Sequence, residues 1–314
     1  MFESILIDLA KKLLREKTVD LIIGYGSTHY PFRTEPIVIN QEEQADALVW
    51  NPFCGNNLAR YLKYYKNTQH KIALMVKGCD SRAVQVLLKE DQIKRDRLYL
   101  IGLSCPGLVN REKLQKQFPQ ASPEDFEWKE TGWFYRGEQI DPELFLEKTC
   151  LRCRYPNPPE YDQLIGKLQT TSPYQTYQKD YLDPIDNLSS EERWDRWSKE
   201  MRKCIRCYAC RNSCPLCYCQ ECFADSTQPQ WVSPAPTPSD NFLFHLVRTM
   251  HMAGRCVECG ACERACPVSI PIAQLPLKVE AIIREQFQFE AGTDQESAAP
   301  LLTYRENDPG DFVK

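Results

Sequence analysis

Two cysteine runs of identical spacing stand in the last third of the chain: Cys204-x2-Cys207-x2-Cys210-x3-Cys214-Pro215 and Cys256-x2-Cys259-x2-Cys262-x3-Cys266-Pro267. Three thiolates this close can wrap one iron-sulfur cube, while the fourth, beside proline, reaches across to a second. One such run can arise by chance in a cysteine-rich tail; two of the same form hardly can. The spacing implies two 4Fe-4S clusters held by these eight residues and a part in single-electron transfer.

At 314 residues the chain is long enough for two domains, each with its own core. A formal charge of -4 and the lack of a long Lys/Arg block speak against nucleic acid or an anionic membrane as a partner. No apolar stretch approaches the roughly 20 residues of a membrane span. The start, Met1 to Asp8, does not read as a secretory signal, so a cytoplasmic protein is expected. Sixteen cysteines then need an account other than disulfides, which reducing compartments disfavour. Free core thiols cover only a few of them. Zinc sites do use C-x2-C pairs, but not ordinarily a triple run closed by Cys-Pro.

The first segment reads as α/β. Leu6 to Leu14 has helical spacing, and Val19 to Gly24 reads as a strand ending at glycine. Asn57 to Leu62 opens a helix, Lys71 to Val76 and Leu98 to Leu103 are apolar strands, and Ser81 to Glu90 is a helix. Strands apolar on both faces and alternating with helices indicate a covered, largely parallel sheet. Cys79 and Cys105 fall just past the carboxyl ends of two strands, the edge where ligands of open α/β sheets gather. Asp141 to Lys148 reads as a short helix leading into Cys150-Leu151-Arg152-Cys153. These four cysteines are enough for one more cluster, although two are singletons and spacing alone leaves the set open.

From Arg154 to Glu200 the polar, proline-rich sequence reads as an extended connection, and Asp225 to Asp240 as a loop. Asn241 to Met252 resumes helical spacing, with Phe242, Leu246 and Met250 near one face, and Leu275 to Phe289 reads as a closing helix. The gap between Cys214 and Cys256 is too long for a compact two-cluster fold, so a mostly helical one is expected. The expected layout is an α/β domain over residues 1–165, a linker over 166–200, a helical two-cluster domain over 201–290 and a polar tail over 291–314, loosely held or docked on a partner. Cys54, Cys217, Cys219 and Cys222 remain. They permit a fourth shared cluster, a small zinc site, spare thiols or a local exchange of ligands.

Lys77-Gly78-Cys79-Asp80, Leu100 to Cys105 and Cys150-Leu151-Arg152-Cys153 together resemble the core of the coenzyme F420 hydrogenase/dehydrogenase beta-subunit family, over roughly residues 15 to 165. The resemblance implies that Cys79, Cys105, Cys150 and Cys153 bind one 4Fe-4S cluster. It also implies a flavin, usually FAD, which exchanges a hydride for single electrons. Three departures stand out: the proline usual before the first cysteine is absent, the chain is short on its N-terminal side, and Gly24-Tyr25-Gly26-Ser27-Thr28 is only a fragment of a dinucleotide fingerprint. If FAD binds, Gly24, Gly26 and Asn56 lie in its natural cradle, with Lys77 or Arg82 on phosphate; both cations can equally be surface charges or support for the cluster. The tail, through Gly254-Arg255-Cys256 and Cys266-Pro267-Val268-Ser269-Ile270-Pro271, resembles the helical two-cluster ferredoxin modules of heterodisulfide reductase and succinate dehydrogenase.

The expected function is an iron-sulfur electron-transfer subunit of a larger soluble oxidoreductase complex, with three cubes, or four if the spare cysteines form one. By resemblance, its partners are heterodisulfide-reductase-like, formate dehydrogenase, hydrogenase or methylene-tetrahydrofolate-reductase-like subunits. One rival has the chain carry the flavin and perform the hydride step itself; another has it act as a zinc-dependent scaffold. No motif sets a base beside a thiol for nucleophilic catalysis. Arg206, Arg255 and Arg264, in or beside the tail runs, can favour reduced clusters or simply face solvent.

Overall fold

A computed structural model describes residues 2–129, 132–169 and 182–300. Helix α1 (Phe2–Arg15) turns Leu6, Leu9, Ala10, Leu13 and Leu14 inward. Next come β1 (Leu21–Ser27) and β2 (Thr34–Ile39), a 3-10 turn over Leu58–Tyr65, β3 (Ile72–Val76), α2 (Gly78–Lys89) and β4 (Leu98–Leu103). After α3 (Arg111–Gln117) a meander of β5 (Phe126–Lys129), β6 (Gly132–Tyr135) and β7 (Glu138–Ile140) precedes α4 (Lys148–Leu151) and β8 (Gln163–Ile165). The main sheet has the order β2-β1-β3-β4-β8. Its four strands β1, β3, β4 and β8 pair in parallel, and β2 is an antiparallel edge. β3 is buried at every residue, as expected for a strand covered on both faces.

The second half is helical: α5 (Asp183–Asp186), α6 (Ser190–Lys203), α7 (Ala209–Asn212), α8 (Pro238–His251), α9 (Ala261–Arg264) and α10 (Gln274–Phe287). Among the described residues no helix is long and apolar enough to cross a membrane. The α/β half with a largely parallel sheet and the helical half with its two cysteine runs are therefore as expected.

Several local readings need correction. β1 does not end at Gly24 but runs on to Ser27. Both of its glycines are there for packing: a Cβ on Gly26 would stand 2.8 Å from Ile37, and one on Gly24 would collide with Leu48 and Met75. α2 starts at Gly78, three residues early, so Cys79 lies in its first turn. Asp141 to Lys148 is not one helix: a 3-10 turn over Pro142–Leu144 and a bridge at Leu146 separate it from α4, whose third residue is Cys150. The stretch expected to be an extended connection contains β8 and α6. α6 begins in a capping box, where Ser189 Oγ accepts from Glu192 N and the Glu192 carboxylate accepts from Ser189 N. Residues 170–181 of the expected linker and 301–314 of the expected tail lie outside the described residues.

The inward face of α8 also differs from the expected one. Leu246 and Met250 are about half exposed, whereas Asn241, Phe244, His245, Arg248 and Thr249 are buried. The rule that the apolar stripe faces inward fails because this helix packs against thiol-lined space, where Asn241 donates to Met201 O and Cys204 O and Arg248 to Cys210 O.

The start of the tail folds back on α2. Arg82 Nε donates to Ala291 O at 2.9 Å, Lys89 pairs with Asp294 at 3.5 Å, and Ala291 and Ala299 are buried. The halves also meet through Glu90, which pairs with Arg255 and accepts from Tyr218 Oη at 2.7 Å.

Candidate metal centres

The two tail runs fold as a structural repeat. In each, the residue two places after the first cysteine has a positive φ, 50° at Arg206 and 58° at Glu258. That turn aims its N–H back at the sulfur: Arg206 N donates to Cys204 Sγ and Glu258 N to Cys256 Sγ, both at 3.4 Å. Tyr208 and Gly260 again match, with φ of 59° and 68°, and each opens one of the short helices α7 and α9. Gly260 needs to be glycine because Thr149, from the α/β half, packs within 2.9 Å of where a Cβ would stand.

The repeat crosses its cysteines. Cys204, Cys207 and Cys210 share a cavity of about 20 Å³ with Cys266, the fourth cysteine of the other run. Cys256, Cys259 and Cys262 share one of about 30 Å³ with Cys214. A third cavity, of about 40 Å³, is lined by Cys79, Cys105, Cys150 and Cys153. Cys79 reaches it from the first turn of α2, Cys105 from the loop after β4, and the last two from α4 and the residues after it. Among the described residues no three His, Cys, Asp or Glu converge closely enough for a single metal ion. The thiols instead ring small volumes, four to a volume in the tail pair and five in the third, where Cys259 of the second run joins Cys79, Cys105, Cys150 and Cys153; four thiols are the donor set a 4Fe-4S cube uses.

The three cavities adjoin. Val257, Glu258 and Cys259 line both the third cavity and the Cys214 cavity. Arg248 lines the Cys214 cavity, and its Nη2 donates to the carbonyl of Cys210 in the remaining one at 3.1 Å. Burial pushes the thiols of Cys105 and Cys153 up to about 11, so bare thiols here stay protonated and metal binding has to displace the protons. Burial, with help from Arg248, pushes His245 down to about 4. Its neutral imidazole lies 3.4 Å from Cys204 Sγ.

The other cysteines do not gather. Cys54 is buried in the α/β core, where its sulfur accepts from Asn51 N at 3.4 Å. Cys217 lies against Cys214 and Arg248, Cys222 against Arg211, and Cys219 is exposed.

The residues assigned to a flavin are also divided. Asn56 lines a cleft of about 570 Å³ between the two halves, together with Arg33, Arg60, Arg111 and Arg264. Gly24 and Gly26 are inside β1. Lys77 is 1% exposed, and its ammonium donates to Tyr25 Oη, Asn56 O and Asp80 Oδ2 at 2.6 to 2.7 Å. Burial disfavours its charge, but Asp80, Tyr25 and Cys79 together outweigh that and hold it well above the ordinary lysine value. Arg82 is 3% exposed, bonded to Ala291 O and Val257 O, and stacked on Tyr155. Arg248 is absent from the residues that sequence reasoning singles out. A charged residue at a helix position facing the cysteine runs was the available signal.

An open α/β sheet docked on a paired, crossed cysteine repeat defines the chain as an iron-sulfur redox protein. A family described as the 4Fe-4S dicluster domain matches residues 203–271. The chain is 25% identical to the F420-dependent formate dehydrogenase subunit beta of Methanocaldococcus jannaschii, over 94% of its own length and 92% of that protein. It is 27% identical to the F420-dependent formate dehydrogenase 1 subunit beta of Methanococcus maripaludis, over 94% and 91% respectively. Over almost its whole length the chain is thus similar to F420-dependent formate dehydrogenase beta subunits, with the dicluster-domain match at residues 203–271, in line with the resemblance read from the sequence. A chain of the F420-reducing NiFe hydrogenase complex from Methanosarcina barkeri matches 62% of this one and 83% of itself at 14% identity, with a TM-score of 0.38.

Proposed function

We propose that this chain is the electron-relay subunit of a formate dehydrogenase- or hydrogenase-type complex, with three 4Fe-4S clusters in series. One observation carries the reading: there are three cysteine-lined cavities, those of Cys79 and Cys214 share Cys259 in their walls, and Arg248 reaches from the Cys214 cavity to the carbonyl of Cys210 in the third. The chain's own residues bind and shield each cluster and set how readily it takes an electron, through N–H donors on sulfur and through burial. Among the expected partners, formate dehydrogenase is favoured by the names of the relatives.

Anaerobic quantification of iron, sulfide and zinc tests this. About twelve irons and as many sulfides per chain are expected, from four irons per cube. About eight would remove the Cys79 site, and zinc without labile sulfide would end the reading. Cys266→Ala is expected to lower the iron by about four by opening the Cys204 site, although Cys266 belongs to the other run. A loss confined to the Cys256 site would contradict the crossed arrangement.

The interdomain cleft favours a second reading, in which the chain also holds FAD. Its size suits a cofactor, Arg33, Arg60 and Arg111 in its lining can meet a diphosphate, and its walls include Leu108 of the third cavity and Cys266 of the Cys204 cavity. A bound flavin would exchange a hydride for two single electrons. Arg33, Arg60 and Arg111 are the residues to hold it, rather than Lys77 or Arg82. A stoichiometric flavin spectrum in anaerobically prepared protein supports this second reading, and its absence removes it.

A further inference from the structure

Two arginines occupy the junctions between the three cavities, with no carboxylate ion pair among the described residues. Arg248, on α8, is 5% exposed. Its Nη2 donates to Cys210 O at 3.1 Å, its Nε has no hydrogen-bond partner among the described residues, and its side chain lines the cavity of Cys214, Cys256, Cys259 and Cys262. Burial disfavours its charge, and Cys217, Cys214, Cys262 and Cys210, once ionised, favour it. Arg264, on α9, donates to Cys259 O at 2.8 Å and to Gly55 O at 2.7 Å. Burial disfavours its charge, and Cys150, Cys259, Glu147 and Cys79, once ionised, favour it. Arg264 is thus tied to Cys259, which lines both the Cys79 and the Cys214 cavities, and Arg248 links the Cys214 and Cys204 cavities.

The other two arginines of the tail runs are different. Arg255 pairs with Glu90, and Arg206 is tied to the carbonyls of Ser233 and Ala235. A guanidinium taken out of water needs a negative partner, or its desolvation costs several kcal/mol. For Arg248 the candidates among the described residues are sulfur ligands. A cube held by four thiolates is an anion, and one electron makes it more negative, so neighbouring reduced cubes repel each other.

We propose that Arg248 and Arg264 are positioning charges, one at each junction, that allow adjacent cubes to be reduced at the same time. This rests on the relay reading above. Each step is a one-electron reduction of a cube by the preceding carrier, with no bond broken and no proton moved. The interposed cation favours the reduced state of both neighbours and offsets the repulsion between them.

The test compares Arg248→Gln and Arg248→Lys with the wild type in the full chain, prepared anaerobically, by iron and sulfide content and by redox titration followed by electron paramagnetic resonance. With iron unchanged, Arg248→Gln is expected to cut the ratio of reduced to oxidised tail cubes about tenfold at fixed potential, a fall of about 59 mV for a one-electron couple. The gap between their two reductions should widen, Arg248→Lys should restore most of both effects, and the Cys79 cube should stay put. Unchanged tail potentials in loaded Arg248→Gln, or an equal shift of all three cubes, overturns the proposal. If Arg248→Gln loses iron, a loaded Arg248→Lys with wild-type potentials supports the charge role, whereas iron loss from both makes Arg248 a packing residue and overturns it. A wild type without cluster iron would instead sink the relay reading itself.

Discussion

Replacing Lys77 with methionine is expected to destabilise the protein by about 3–5 kcal/mol, because it leaves a buried carboxylate without its counter-charge. Lys77 and Asp80 are 1% and 0% exposed and 2.7 Å apart. Asp80 also accepts from Leu58 N at 2.8 Å and from Lys77 N at 3.2 Å, so it ties the start of α2 to the 3-10 turn beside it. The fall in melting temperature should be on the order of 10 °C, measured on anaerobic protein. Adding Asp80→Asn should recover much of it, since the amide keeps an acceptor for Leu58 while removing the charge. A single variant that melts with the wild type would show that Lys77 is not committed to Asp80, and would return it to the phosphate role read from the sequence.

Gly78→Ala is expected to empty the Cys79 site and leave the tail pair loaded. A Cβ at Gly78 would lie 2.8 Å from the carbonyl carbon of Tyr155 and 2.9 Å from Asn157 O, and would overlap Tyr155 O. These are backbone atoms, and the same segment holds Cys105 N through Pro156 O at 2.9 Å. Pushing it away carries off Cys153 and disturbs Cys105 together. Iron should fall by about four per chain, with the signals of the two tail cubes unchanged. Full iron content in Gly78→Ala would mean that the loop yields without moving its thiol, contrary to the close packing of backbone on backbone.

The sequence was most legible where chemistry fixes spacing. Both tail runs announced a crossed arrangement, because a cube demands four thiols and a three-residue rhythm supplies only three. Cys79 and Cys105 were legible as strand-end residues, since β3 and β4 are apolar throughout and end just before them. The failures lie where tertiary packing reverses a local rule. Gly24 and Gly26 looked like a turn, yet they are gaps that accommodate Leu48, Met75 and Ile37. Leu246 and Met250 looked like core, yet α8 turns Arg248 and His245 inward toward sulfur. The β5–β7 meander and the cleft beside it left no trace in spacing, because aromatic clusters such as Phe32 with Phe53 and Phe126 form only after distant segments meet.

Residues 290–299 clasp α2, and Val257 to Cys259 roof the cavity that Cys79 and its companions line, so later-made segments seal a compartment belonging to the earlier-made half. Access to that compartment therefore depends on the closing segments staying docked, so their removal is expected to bare these thiols before the sheet itself comes apart.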